Sequence, residues 1–170
     1  MSRVIVNDDG LLLSEMETIS SKVRAVLLEE DKLLIAYYGG VYLFPGGTIE
    51  KEEDPDLAII RELKEETGIN YDINKLKKLY TLKYYQKNYP VHKDLLRNRL
   101  LFTDYYLGEY QGVDLSHIDR TEKEKRDGFH LQLVKFNEIN DLLNEKTDNP
   151  RKKYFDREID ETVKVLKLKR

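Results

Sequence analysis

Gly47-Thr48-Ile49-Glu50-Lys51-Glu52-Glu53-Asp54-Pro55-Asp56-Leu57-Ala58-Ile59-Ile60-Arg61-Glu62-Leu63-Lys64-Glu65-Glu66-Thr67-Gly68-Ile69 is the stretch on which the reading of this chain turns. Its second half carries the punctuation of a helix. Asp54 suits the N-cap, Pro55 suits the first helical position, and Asp56 complements the positive helix end. Gly68 is placed to stop the helix in the left-handed conformation. Leu57, Ile60, Leu63 and Thr67 form the expected buried stripe, with Ile59 at its margin.

Glu62, Glu65 and Glu66 fall on one face of that helix, within roughly 100° of arc. Like charges three and four residues apart repel, and Glu65 and Glu66 also stand at the negative end of the helix dipole. On a helical wheel Arg61 and Lys64 project elsewhere, and Ala58 leaves room on the acidic face one turn earlier. A divalent cation would turn this unfavourable cluster into a hard oxygen site. The residues taken alone leave two readings open, a metal site and a solvated acidic face.

Working outward, Val23 to Leu28 and Leu33 to Tyr38 are β-rich runs around Glu29-Glu30-Asp31-Lys32, which reads as a hairpin. Val41 to Phe44 is a third strand, leading into Pro45-Gly46-Gly47. Leu79 to Tyr85 and Leu100 to Leu107 read as strands, with 88–98 as a loop between them. Gln111 to Gly128 is a long polar loop that ends at a strand from Phe129 to Val134. Asn137 suits the cap of a short helix through Leu143. Asn149-Pro150 opens a last helix with Phe155, Ile159, Val163 and Leu166 as its core stripe. Strands interleaved with helices predict one mixed α/β domain over residues 1–170.

Composition narrows the classes of function. Of the 170 residues, 40% are hydrophobic and 36% charged, which describes a globular chain with a solvated surface. With 29 basic and 32 acidic side chains, the net charge of −3 argues against nonspecific nucleic-acid binding. The absence of cysteine excludes disulfides, thiolate zinc sites and cysteine nucleophiles. No apolar run has the length of a signal segment or membrane span, so the expectation is a cytoplasmic protein with no membrane partner.

The segment from Gly47 to Ile69 resembles the Nudix box, G-x5-E-x7-R-E-U-x-E-E-x-G-U with U aliphatic. Gly47, Glu53, Arg61, Glu62, Glu65, Glu66 and Gly68 fill the fixed positions, and Leu63 and Ile69 the aliphatic ones. A chance match at average residue usage has a probability on the order of 10⁻⁶. The resemblance implies an α/β/α sandwich around a mixed sheet, with Mg²⁺ or Mn²⁺ held by Glu62, Glu65, Glu66 and the Gly46 carbonyl. It implies an ion pair between Glu53 and Arg61 that braces loop against helix, and catalytic roles for Glu62, Glu66, Arg61 and Glu53, with Glu62 as ligand or base. Glu52 is a departure, since many members have glycine there.

The implied reaction is hydrolysis of a nucleoside diphosphate linked to a further group. That group could make the substrate a nucleotide sugar such as ADP-ribose, a dinucleoside polyphosphate or a nucleoside triphosphate. Tyr85, Arg97, Arg99 and Glu124 are candidates for contacting substrate, and Glu122 or Glu124 for a base from a distant loop. Tyr84, Tyr89, His92 and Lys93 lie in the same region. The extended motifs of the NADH-cleaving and coenzyme A members are absent, and the isoprenoid diphosphate isomerase on this fold needs a cysteine. The alternative from another class is a nucleotide-binding regulator that keeps the fold without turnover. Family members are commonly homodimers.

Overall fold

The computed structural model describes residues 2–118, 125 and 128–169. Its centre is an eight-stranded mixed sheet. The strands are β1 (Ser2–Val6), β2 (Thr18–Glu29), β3 (Lys32–Tyr38), β4 (Val41–Leu43), β5 (Gly46–Thr48), β6 (Lys77–His92), β7 (Leu95–Glu109) and β8 (His130–Lys135). The main path runs β1-β6-β7-β2-β3-β4, with β5 paired to β2 and β8 to β3. β2 pairs with β7 in parallel along 11 residues, whereas it meets β3 only at Leu28↔Leu33 and Glu29↔Lys32. Beyond that hairpin end the two strands part. β2 goes on to pair with β5, and β3 with β4 and β8. The gap so opened holds the cavity described below.

Side chains alternate along β2, and this alternation builds two cores. Val23, Ala25 and Leu27 face Ala58, Ile59 and Leu63 of helix α1 (Pro55–Thr67). Val26 faces the opposite side, where Tyr80, Leu82 and Tyr105 meet Tyr154, Ile159 and Leu166 of helix α3 (Lys152–Leu168). A short helix α2 (Ile139–Leu143) contributes Ile139 to this second core. Helix, sheet and helix therefore form three layers, as the resemblance implies. Leu63 is fully buried, so its truncation to Ala should cost about 2–5 kcal/mol. Among the described residues, no helix is long and apolar enough to cross a membrane.

Several expectations need correction. Residues 88–98 are not a loop: β6 and β7 continue through them as one hairpin, with register shifts at Gln86/Tyr89 and Pro90/His92. The bulges break the period of two that a strand reading relies on. β1 and β5 are further strands that sequence did not reveal. Leu57 is 65% exposed. At that turn Asp56 faces the sheet instead, and its Oδ1 accepts a 2.6 Å hydrogen bond from the Tyr106 hydroxyl. Ala58 is buried in the core, so it leaves no room beside the acidic face. Asn137 caps nothing: it lies in a 3-10 turn (Phe136–Glu138), and α2 follows without a side-chain cap. In α3 the buried stripe is broader than expected, adding Tyr154, Glu158, Thr162 and Val165, while Val163 packs at its edge.

Candidate active site

The loop from β5 into α1 is built around Arg61. Its Nε donates to Glu53 Oε2 at 2.8 Å and its Nη2 to Glu53 Oε1 at 2.9 Å, a bidentate clamp. Nη2 also reaches the Thr48 carbonyl at 3.1 Å, so one side chain ties β5, the loop and the helix together. Glu53 fixes the loop from its other side, since its Oε1 accepts the Glu50 amide at 3.0 Å. The Arg61 guanidinium holds the Glu53 carboxyl down at about 2.

Arg61 does not project away from the acidic face. Its Nη1 donates to Glu62 Oε1 at 2.9 Å and to Glu65 Oε1 at 3.3 Å. The wheel records where Cα–Cβ bonds point, but an arginine is long enough to bend back across its own turn. Glu66 is buried, at 7% exposure, and its Oε2 accepts the Gly46 amide at 3.2 Å. Burial pushes the Glu62 carboxyl up, against the pull of Arg61.

The two glycines before the loop allow this close approach. A Cβ at Gly46 would lie 2.0 Å from the Val23 carbonyl oxygen, and its φ of 147° also favours glycine. A Cβ at Gly47 would lie 2.4 Å from Glu62 Oε1, in the space the carboxylate occupies. Glu52 has φ 64°, a left-handed conformation, which accounts for a preference for glycine at that position.

Among the described residues, no three His, Asp or Glu side chains converge tightly enough to enclose a metal ion alone. Arg61 draws Glu62 and Glu65 toward itself, and Glu66 folds back onto Gly46. The donor set nonetheless suits a hard cation. Glu62 and Glu66 are partly desolvated, and the Gly46–Gly47 strand lies beside them.

These groups face a cavity of about 360 Å³. Glu62, Glu65 and Glu66 line one side; Lys22, Arg24 and Arg151 line another; Tyr38, Tyr89, Phe129 and Phe155 supply aromatic surface. Arg24 is 5% exposed and bonds the Phe44 carbonyl at 3.2 Å. Lys22 is lowered to about 7 by burial first, then by the neighbouring charges of Arg24 and Arg99. Arg99 lies behind Tyr89, with its guanidinium carbon 3.5 Å from the ring centroid and its Nε bonded to Gln86 Oε1 at 2.7 Å.

The expected site residues divide accordingly. Glu53, Arg61, Glu62, Glu65, Glu66 and Gly46 come together. Arg99 joins the basic wall from behind. Tyr85 does not line the cavity and instead lies against Lys83, whose Nζ is 5.3 Å from its ring. Arg97 is also outside the cavity, paired with Glu17 at 3.6 Å. Glu122 and Glu124 lie outside the described residues. Lys22, Arg24 and Arg151 were missed. For the first two a signal existed: charged residues at alternate positions in a run that is otherwise as apolar as Val23, Ala25 and Val26.

A family model described as the NUDIX domain matches residues 19–158. A MutT-like protein of Streptomyces ambofaciens is 36% identical over 64 residues, covering 36% of this chain and 42% of that protein. An 8-oxo-dGTP diphosphatase of Proteus vulgaris is 49% identical over 37 residues, covering 22% of this chain and 33% of that protein. The chain thus spans less than half the length of these relatives. Among solved structures, a MutT NUDIX hydrolase from Burkholderia pseudomallei matches with TM-score 0.53 at 18% identity, covering 79% of this chain and 95% of that one. An ADP compounds hydrolase matches with TM-score 0.52 at 21% identity, covering 85% and 72%. These two likenesses establish the fold. Box, fold and a family match across most of the sequence agree: the chain belongs to the NUDIX domain family.

Proposed function

We propose that this chain is a metal-dependent hydrolase of a diphosphate linkage in a nucleoside diphosphate joined to a further group. One observation carries the reading: a single arginine clamps the loop to the helix and gathers carboxylates at a cavity whose opposite wall is cationic and aromatic. A diphosphate repels an anionic nucleophile, so its charge must be neutralised before water can attack phosphorus. Glu62, Glu65, Glu66 and the Gly46 carbonyl are the groups that would hold Mg²⁺ or Mn²⁺. When bound, the ion would supply charge neutralisation and acidify water.

Water adds to one phosphorus, the bridging P–O bond breaks, and a carboxylate of the set, Glu62 or Glu66, takes the water proton. Arg61 and Glu53 are positioning residues for that carboxylate set. The aromatic surface of Tyr38, Tyr89, Phe129 and Phe155 is suited to a nucleoside base, and the hydrolase of ADP compounds on this fold supports a nucleotide ligand. A hydrolysis screen across nucleoside diphosphate derivatives with Mg²⁺, with products identified by mass, tests the reading. Release of a nucleoside monophosphate is the expected result. Tight nucleotide binding without any product would favour the regulator instead.

A further inference from the structure

The basic wall is larger than a scissile diphosphate needs. Lys22, Arg24, Arg99 and Arg151 form no ion pair among the described residues, and Arg24 and Arg99 are buried at 5% and 8% exposure. Arg99 donates from Nε to Gln86 Oε1 and packs its guanidinium over the Tyr89 ring. Arg151 uses Nε and Nη2 on the carbonyls of Pro90 and Val91, at 2.9 and 2.8 Å, and leaves Nη1. The carboxylate beside this group is Glu158, buried at 5% exposure and bonded by the Tyr105 hydroxyl at 3.2 Å. Glu62, Glu65 and Glu66 face the wall from across the cavity, where Arg61 already holds Glu62 and Glu65. Gln86, fully buried behind Arg99, adds an amide Nε2 with no partner among the described residues. Buried cations and a buried donor left in this state call for an anionic ligand.

The wall also leads outward. Arg151 and Asn149 are shared with a second depression, whose lining includes His92, Lys93 and Asp148. Asn149 is not free to read a ligand there: its Nδ2 donates to the Gly39 carbonyl at 2.7 Å and its Oδ1 accepts the Arg151 amide at 2.9 Å. It holds Arg151 in place between the two depressions.

We propose that the substrate carries at least one phosphate beyond the scissile diphosphate, and that Lys22 and Arg151 bind it, with Arg99 adding its charge from behind Tyr89. This rests on the hydrolase reading above, in which the carboxylate side engages the scissile diphosphate. The extra phosphate lies either along the phosphate chain, as in a nucleoside polyphosphate, or on a branch as a phosphomonoester. The lowered Lys22 is consistent with a lysine that awaits its anion.

The test compares kcat/KM with Mg²⁺ for ADP-ribose, 2′-phospho-ADP-ribose and diadenosine tetraphosphate, in the wild type, Lys22→Met and Lys22→Arg. At least one probe with an extra phosphate should exceed ADP-ribose by tenfold or more. The better of the two identifies chain or branch. Lys22→Met should cut that advantage at least fivefold through KM, and Lys22→Arg should restore most of it. Equal losses on all three probes, or a preference for ADP-ribose, would overturn the proposal. Binding of inorganic tripolyphosphate to the metal-free protein separates the two readings. A tenfold weakening in Lys22→Met without turnover of any probe sinks the hydrolase and keeps the anion site. Turnover of the probes with unchanged tripolyphosphate binding does the reverse.

Discussion

Arg61 and Glu53 meet through two parallel hydrogen bonds of 2.9 and 2.8 Å, eight residues apart in sequence. The same guanidinium also touches Glu62 and Glu65, so the brace of the loop and the alignment of the carboxylates are one structure. Arg61→Gln should lower kcat by about 100-fold or more, because a displaced catalytic group costs that much. It should cost about 1–3 kcal/mol of stability, from lost charge-assisted hydrogen bonds. Arg61→Lys should not rescue, as an ammonium cannot make the fork. Steady-state kinetics with urea unfolding on both variants checks this; a lysine variant near wild type would contradict it.

The same pair sets a pH dependence of stability. Glu53 is held at about 2 in the folded chain, against an ordinary value of 4.5. Between those values the unfolded chain holds the extra proton, so stability rises with pH. The contribution is complete above the ordinary value and is lost as pH falls through the folded one. The stability gap between wild type and Glu53→Gln should therefore narrow as pH is lowered from about 6 to about 3. A gap independent of pH would contradict the assignment.

Glu52 occupies a left-handed backbone conformation at φ 64°. Glu52→Gly relieves that strain and loses some to chain entropy, for a net gain of about 0.5–1 kcal/mol. The melting temperature should rise by about 1–3 °C. Calorimetric melting measures it, and a fall on substitution would be the contrary result.

Lys22 is lowered to about 7 in the free protein, facing Arg24, Arg99, Arg151 and Glu158. A bound anion favours its charged form, so tripolyphosphate binding near pH 8 should take up a proton, and affinity should weaken as pH rises above 7. Titration calorimetry in buffers of different ionisation enthalpy reads the uptake. Identical heats in all buffers would rule it out.

What could be read in sequence was what is local. Asp54, Pro55 and Gly68 set the limits of α1, and the Asp54 side chain does accept the Asp56 amide while Gly68 takes φ 79°. The hairpin over Glu29 to Lys32 is likewise a short-range matter. The basic wall was hidden because its members are distant. Lys22 and Arg24 are single charges on β2, Arg99 arrives through the parallel β2–β7 register, and Arg151 comes from the entrance to α3. The β6–β7 hairpin was hidden for another reason, since bulges shift its register and its polar face looks like a loop. Arg61 shows a third limit: wheel geometry ranks directions, and a long side chain ignores them.

The proposed role of the carboxylate face of α1 in hydrolysing a diphosphate linkage is tested most directly by turnover. The best substrate is given with saturating Mg²⁺ to wild type and Glu66→Gln, each checked for native melting. Glu66→Gln should lower kcat by about 10³-fold with its melting temperature preserved. Near-normal turnover by a folded Glu66→Gln would contradict the account.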